Sequence, residues 1–198
     1  MKIFFIRHGE TTGDVENLYG GTYDDHLSEK GIEQSKKLAE LLKDKGIEII
    51  FSSSLIRAQE TSKLLSEVAN CEIQVVPELR ERNQYGFLSG TNKDEAKQKY
   101  PKEVEMLKDR LNTIEGAETY EDFSKHVSDA FASIVNSSKY SSVAIVSHGG
   151  PLRVLFRDIL KWGELTEIGD CAYAELEKID EDYRYIAGAN FKADFKIE

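Results

Sequence analysis

No apolar run in this 198-residue chain approaches the ~20 residues needed to cross a bilayer, so no transmembrane segment and no membrane partner are expected. Cysteine is scarce. Cys71 and Cys171 stand apart, with no CxxC pair and no clustered histidines, so neither a disulfide framework nor a zinc site is expected and both thiols read as buried. Positive charge is in deficit, and a net charge of −10 argues against nucleic acid, whose phosphate backbone needs a broad basic surface. A small anionic substrate needs only a local cluster of cations, which an acidic chain can still supply. Internal repeats and low-complexity tracts are also missing. The chain passes from Met1-Lys2 directly into an apolar strand that carries a candidate site. A cleaved signal peptide would take that site away, so the protein is read as cytoplasmic.

What is present is ordinary for a globular protein: 40% hydrophobic and 31% charged residues, enough for one domain over 1–198 with a sizeable core. Residues 3–6 form a short continuous apolar run, as in a strand covered on both faces, and Gly9 permits a sharp turn after it. Ser28 suits an N-cap for a helix to about 45, with Ile32, Ser35, Ala39 and Leu42 on its apolar face and Gly46 as the stop. A strand at 47–51 and a helix with Leu55, Ala58, Leu65 and Val68 near helical spacing complete a strand-helix-strand-helix unit. A third strand at 73–76 ends at Pro77. Residues 12–25, rich in Gly, Asn, Asp and Tyr, read as a loop over the site.

The alternation then breaks. Residues 83–117 read as an inserted cap, with a charged helical excursion from Asn92 to about Leu111 divided at Pro101. A helix with Phe123, Val127, Ala130 and Ile134 on one face, a strand at 143–146, a helix at 151–160 with Pro151 in its first position, and a terminal hairpin of strands 173–179 and 183–187 follow. The expected architecture is a three-layer α/β/α sandwich with a mostly parallel sheet. Two strands in it deliver histidines to one carboxyl edge, where open α/β sheets bind ligands.

The residues at those edges, Arg7-His8-Gly9-Glu10 and Ser147-His148-Gly149-Gly150, resemble motifs of the histidine phosphatase superfamily, also called the phosphoglycerate-mutase-like family. Arg57-Ala58-Gln59-Glu60-Thr61 and Leu79-Arg80-Glu81 lie between them in the family's order, and the resemblance runs from Lys2 to about Glu177. It implies a phosphoryl-transfer enzyme acting on a small phosphomonoester, with His8 phosphorylated during turnover. Neutral imidazole is a competent nucleophile at phosphorus. With no metal ligands in view, arginine must carry the charge, and the guanidinium fork matches phosphate oxygens: Arg7 and Arg57 are the candidates. Arg57 also gains from the first turn of its helix, whose unpaired N–H groups favour an anion.

By the same resemblance His148, followed by Gly149, stands beside the phosphate as a hydrogen-bond donor. Glu81 is the proton donor to the leaving alcohol, since the negative charge of a bound phosphate favours a protonated carboxyl group. Glu78 is its rival at the same strand end. Asn17, Gly21 and Thr22 fall where the family's loop contacts substrate. Asp14 stands where relatives often carry asparagine, and it would repel a phosphate unless it turned away. Four residues separate Glu81 from Gly86 where three are common. His26 and His126 are read as loop residues with satisfied polar groups.

The leading function is a metal-independent phosphatase that requires no cofactor. The alternative is a 2,3-bisphosphoglycerate-dependent phosphoglycerate mutase, since Gly90-Thr91-Asn92-Lys93 looks like the mutase Gly-Leu-Asn-Lys segment and would give Lys93 a substrate carboxylate to hold. Against it, no arginine pair is evident near Lys108-Asp109-Arg110, and His148-Gly149-Gly150-Pro151 replaces the mutases' common His-Gly-Asn-Ser. A second alternative, a non-catalytic protein that binds phosphorylated ligands, is disfavoured because nucleophile and acid are both present.

Overall fold

The computed structural model describes residues 1–194; the expected domain limit at 198 lies beyond them. Strand β1 (Lys2–Arg7) is fully buried over its apolar run because alternate side chains serve two cores. In chain order there follow α1 (Thr12–Val15), α2 (Glu29–Leu42), β2 (Ile49–Ser52), α3 (Ile56–Ala69) and β3 (Glu72–Val75). Two short helices come next, α4 (Lys93–Lys99) and α5 (Pro101–Met106), then α6 (Tyr120–Ser137) and β4 (Ser142–Ser147). The chain then passes through α7 (Gly149–Val154), a π turn at Leu155–Ile159, β5 (Leu165–Ile179) and β6 (Asp182–Ala193).

The sheet runs β3-β2-β4-β1-β5-β6. β3, β2, β4 and β1 are parallel, while β5 and β6 form an antiparallel hairpin on the far edge. Ile3, Phe5, Ile49, Phe51, Val143 and Ile145 face α6 and α7. Phe4, Ile6, Ile50, Ala144 and Val146 face α2 and α3. This is the α/β sandwich that the apolar runs imply. Among the described residues no helix is long and apolar enough to cross a membrane.

Several expectations need correction. In α2 the buried face is Gly31, Ser35, Leu38, Ala39 and Leu42, and Ile32 is exposed. Gly31 lies so close to the chain at Glu10 that a Cβ there would come within 2.0 Å of the Glu10 carbonyl oxygen, and this docking turns Ile32 outward. Val68 in α3 is likewise exposed, the helix resting on Ala58, Thr61, Ser62 and Leu65. The stop after α2 is Gly46, in the left-handed region at φ +71°, after a 3₁₀ turn. Residues 12–25 are not all loop, since Thr11 and Asp14 form a capping box that starts α1.

Later in the chain, α7 begins at Gly149, so Pro151 is its third residue; the first-turn N–H groups have no intrahelical partner, which is why proline is tolerated there. The terminal strands are longer than expected. Leu165 to Asp170 belong to β5 despite their polarity, joined to the apolar part across an irregular register in which Cys171 has φ +51°. Residues 83–117 carry their own apolar cluster, Leu88, Ala96 and Ile114, with Tyr19 of the opposite loop packed onto it.

Candidate active site

β1 and β4 are parallel neighbours with Arg7 paired to Ser147, so the residue following each strand is a histidine at the same edge. The His8 N–H donates to the Ser147 carbonyl at 3.1 Å, and the His8 and His148 rings lie edge to face with centroids 5.0 Å apart. His8 is 5% exposed. Its Nδ1 is 2.7 Å from the Gly9 carbonyl oxygen, an acceptor only, so Nδ1 carries the proton. Nε2 then presents a lone pair, which accepts from Arg57 Nε at 3.1 Å. Burial, then the charges of Arg57 and Arg7, hold the His8 pKa well below the ordinary 6.5, so the ring stays neutral.

His148 is wholly buried, with Nε2 2.7 Å from Ser53 Oγ and no partner for Nδ1 among the described residues. Its pKa is also pushed well down, by burial first and then by Arg57, His8 and Arg7. A bound phosphate would act in the opposite direction.

Arg57, the second residue of α3, is buried and held on several sides. One terminal nitrogen donates to the Tyr23 carbonyl at 2.7 Å and to Asp25 Oδ1 at 2.8 Å, the other to the Gly21 carbonyl at 2.7 Å. Gly21 can offer that carbonyl because it sits at φ +60°. Arg7 is anchored to the Ile168 carbonyl at 2.6 Å and lies 3.5 Å from Asp170. Glu81 accepts the N–H of Arg82 at 2.9 Å and that of Gly150 at 3.0 Å, which aims its carboxyl group across the first turn of α7. Glu78 is elsewhere, exposed and beside a separate groove with Gln74 and Asp129.

These groups share a cleft of about 660 Å³. Arg7, His8, Gly21, Arg57, Glu81, Lys93 and Gly149 line it; His148 does not, its ring lying edge to face with that of His8. Asn17 and Thr22 do not line it. Asn17 Nδ2 instead reaches Asp94 at 3.2 Å and its carbonyl accepts the Lys93 N–H at 2.9 Å, tying the first loop to α4. Asp14 does line the cleft, but its carboxylate turns back onto the Thr11 N–H and hydroxyl at 3.1 and 3.0 Å.

The cleft also holds residues that sequence reasoning passed over: Asp25, the buried partner of Arg57, and a second group formed by Arg82, Arg110, Arg153, Arg157 and Glu164. Arg153 and Arg157 are four apart just after His148, a spacing visible in the sequence; nothing local marks Asp25 or Glu164. Seven cationic side chains face four carboxylates in this cleft, although the whole chain carries −10.

The chain is 31% identical to a metal-independent phosphoserine phosphatase from Arabidopsis thaliana over 160 residues, 78% of this chain and 67% of that protein. It is 32% identical to a 2,3-bisphosphoglycerate-dependent phosphoglycerate mutase from Parvibaculum lavamentivorans over 168 residues, 80% of each. A solved mycobacterial glucosyl-3-phosphoglycerate phosphatase in complex with VO3 superposes with a TM-score of 0.81 at 25% identity, covering 94% of this chain and 97% of the other. The model of branch 1 of the histidine phosphatase superfamily matches residues 3–185. A match across so much of the sequence makes the chain a member of the histidine phosphatase superfamily.

Proposed function

We propose that this protein is a phosphatase that hydrolyses a small phosphomonoester through phospho-His8, with residues 83–117 as the cap over its cleft. The observation that carries the reading is the hydrogen bonding of His8. Its Nδ1–H is held by the Gly9 carbonyl, so the Nε2 lone pair faces the arginines as a neutral nucleophile.

In the first step Nε2 attacks phosphorus, the bond to the ester oxygen breaks, and that oxygen takes a proton from Glu81. Arg7, Arg57 and His148 would hold the equatorial oxygens, the Arg57 Nε–H, which donates to His8 in the ligand-free protein, shifting to one of them. In the second step water attacks phosphorus, Glu81 accepts a water proton, the N–P bond breaks, and phosphate leaves with His8 neutral again. No cofactor enters this cycle.

The test is mixing with substrate followed by alkaline denaturation. The expected result is an acid-labile, base-stable phosphate on His8 and at least a hundredfold loss of rate in His8→Asn, about 3 kcal/mol of barrier. Turnover in that variant close to the wild-type rate would overturn the reading.

A mutase reading draws on Lys93 at the cleft wall and on the mutase relatives. A mutase must keep water from its phosphohistidine while the product turns round. In the ligand-free protein the cleft of about 660 Å³ is open to water, with Arg110 41% exposed in its lining. Incubation with 3-phosphoglycerate and a trace of 2,3-bisphosphoglycerate decides: phosphate release should exceed 2-phosphoglycerate formation, and the reverse identifies a mutase with that bisphosphate as its cofactor.

A further inference from the structure

A neutral imidazole donates from one nitrogen only, and the partner of the other nitrogen decides which one that is. For His148 that partner is Ser53. Strands β2, β4 and β1 are neighbours, and the residues that follow them are Ser53, His148 and His8, so a serine and two histidines stand in a row along one edge of the sheet. The Ser53 N–H donates to the Val146 carbonyl at 2.9 Å, just beyond the last paired residues of β2 and β4, Ser52 and Val146. Ser53 and His148 are both fully buried, and Ser53 Oγ lies 2.7 Å from His148 Nε2.

Counting donors and acceptors fixes the direction of that bond. A hydroxyl has one proton and two lone pairs. One lone pair of Ser53 takes the Leu55 N–H at 3.2 Å, and among the described residues the hydroxyl has no partner besides Leu55 and His148. Were Nε2 to carry the proton, the Ser53 O–H would lack an acceptor and the Nδ1 lone pair a donor, leaving two buried polar groups unpaired. With Ser53 donating to Nε2, only the Nδ1–H is unpaired. A ring protonated at both nitrogens is opposed by burial first and then by Arg57, His8 and Arg7, which hold the His148 pKa well below the ordinary 6.5. His8 does not take up the free N–H, because its own nitrogens are engaged by the Gly9 carbonyl and Arg57 Nε.

Resting on the phosphatase reading, we infer that Ser53 is a positioning residue: its hydroxyl donates to His148 Nε2, fixes the ring as the Nδ1–H tautomer, and so lets a neutral His148 donate to the phosphoryl oxygens. An unpaired N–H inside a protein is costly, and an anionic oxygen arriving beside His8 relieves that cost. The His8 ring is near enough for this, its centroid 5.0 Å from that of His148. Helix α3 braces the serine: the Ser62 hydroxyl donates to Ser52 Oγ at 2.9 Å, and the Ser52 hydroxyl donates to the Ser53 carbonyl at 3.0 Å. The helix that presents Arg57 thus also steadies the residue that orients His148.

The test is the tautomer of His148, read by two-bond proton–nitrogen correlation in ligand-free protein with isotope-labelled histidine above neutral pH. His148→Ala identifies its signals among the four histidines. The wild type should show a protonated Nδ1 and a bare Nε2. Ser53→Ala should shift the ring toward the opposite form and lower kcat/KM on para-nitrophenyl phosphate by about tenfold or more. Inorganic phosphate should also bind more weakly in that variant. Added to His148→Ala, however, Ser53→Ala should cost less than about twofold in turnover and in phosphate affinity, because the hydroxyl then has no ring to orient.

A protonated Nε2 with a bare Nδ1 in the wild type overturns the inference, and so does wild-type turnover in Ser53→Ala. The wild-type spectrum needs no change at position 53, so it decides even where Ser53→Ala fails to fold. A full tenfold loss when Ser53→Ala is added to His148→Ala assigns Ser53 to holding Leu55 at the head of α3, and it too overturns the inference. No turnover of any phosphomonoester is instead the failure of the phosphatase reading, of which the tautomer in the ligand-free protein is read independently.

Discussion

Glu81 and Gly150 are in direct contact: Glu81 Oε2 accepts the Gly150 N–H at 3.0 Å, and a Cβ on residue 150 would lie 2.0 Å from Glu81 Oε1. Only glycine lets the carboxyl group rest there, so the second glycine after His148 places the candidate acid. Gly150→Ala is expected to displace Glu81 and slow turnover of alkyl phosphates by about tenfold or more, with a smaller loss on para-nitrophenyl phosphate, whose leaving oxygen hardly needs a proton. Steady-state rates on the two substrates check this; unaltered alkyl phosphate turnover would show that Glu81 has no such role.

The same pair of substrates separates the two candidate acids. Glu81→Gln should reproduce the leaving-group dependence in stronger form. Glu78→Gln should leave both rates near wild type, because Glu78 faces another groove. Equal losses on both substrates in Glu81→Gln would assign Glu81 a structural role.

Asp25 balances the buried charge of Arg57, and both side chains are almost sealed from solvent, at 4% and 3% exposure. Asp25→Asn keeps the shape but removes the counter-charge, and breaking one side of a buried pair costs about 3–5 kcal/mol. Urea unfolding should show a loss on that scale. A change under about 1 kcal/mol would mean that the carbonyls of Gly21 and Tyr23 suffice to hold the guanidinium.

Acid should destabilise the ligand-free protein through its two site histidines. In the unfolded chain each takes a proton near pH 6.5, whereas in the fold both are held well below that value. Below pH 6.5 the unfolded state thus binds more protons, and stability, complete above that pH, is lost as pH falls toward the folded values. The urea midpoint should fall from pH 7 to pH 5, less steeply in His8→Asn. A flat profile would contradict a neutral, buried pair.

Both histidine strands were legible because they are short apolar runs followed at once by the motif residues, and because a strand buried on both faces admits little else. Helix faces were less so: Ile32 and Val68 fit the apolar spacing, but the close approach of Gly31 to Glu10 decided which side of α2 faces inward. The first part of β5 was illegible, since Thr166 to Asp170 are mostly polar and join the sheet only across an irregular register. Of the second arginine group only the spacing of Arg153 and Arg157 was legible, because residues 82, 110 and 164 meet only when the cap folds back on the core. Asn17 sat where a loop contact was expected, and it spends its amide on Asp94 instead.

The position of β1 in the sheet also governs when the protein can become active during synthesis. Of the six described strands β1 is made first and lies inside the sheet, and its two neighbours, β4 and β5, are made last but for β6. Lys2 must wait for Ser142 on one side and Glu177 on the other, among the longest loop closures the chain can make. Until then Ile3, Phe4, Phe5 and Ile6 are an unpaired apolar strand, the kind of segment that invites aggregation. Nascent chains ending before β5 should therefore depend on chaperones and be inactive, although His8, Arg57, Glu81 and His148 have all been translated.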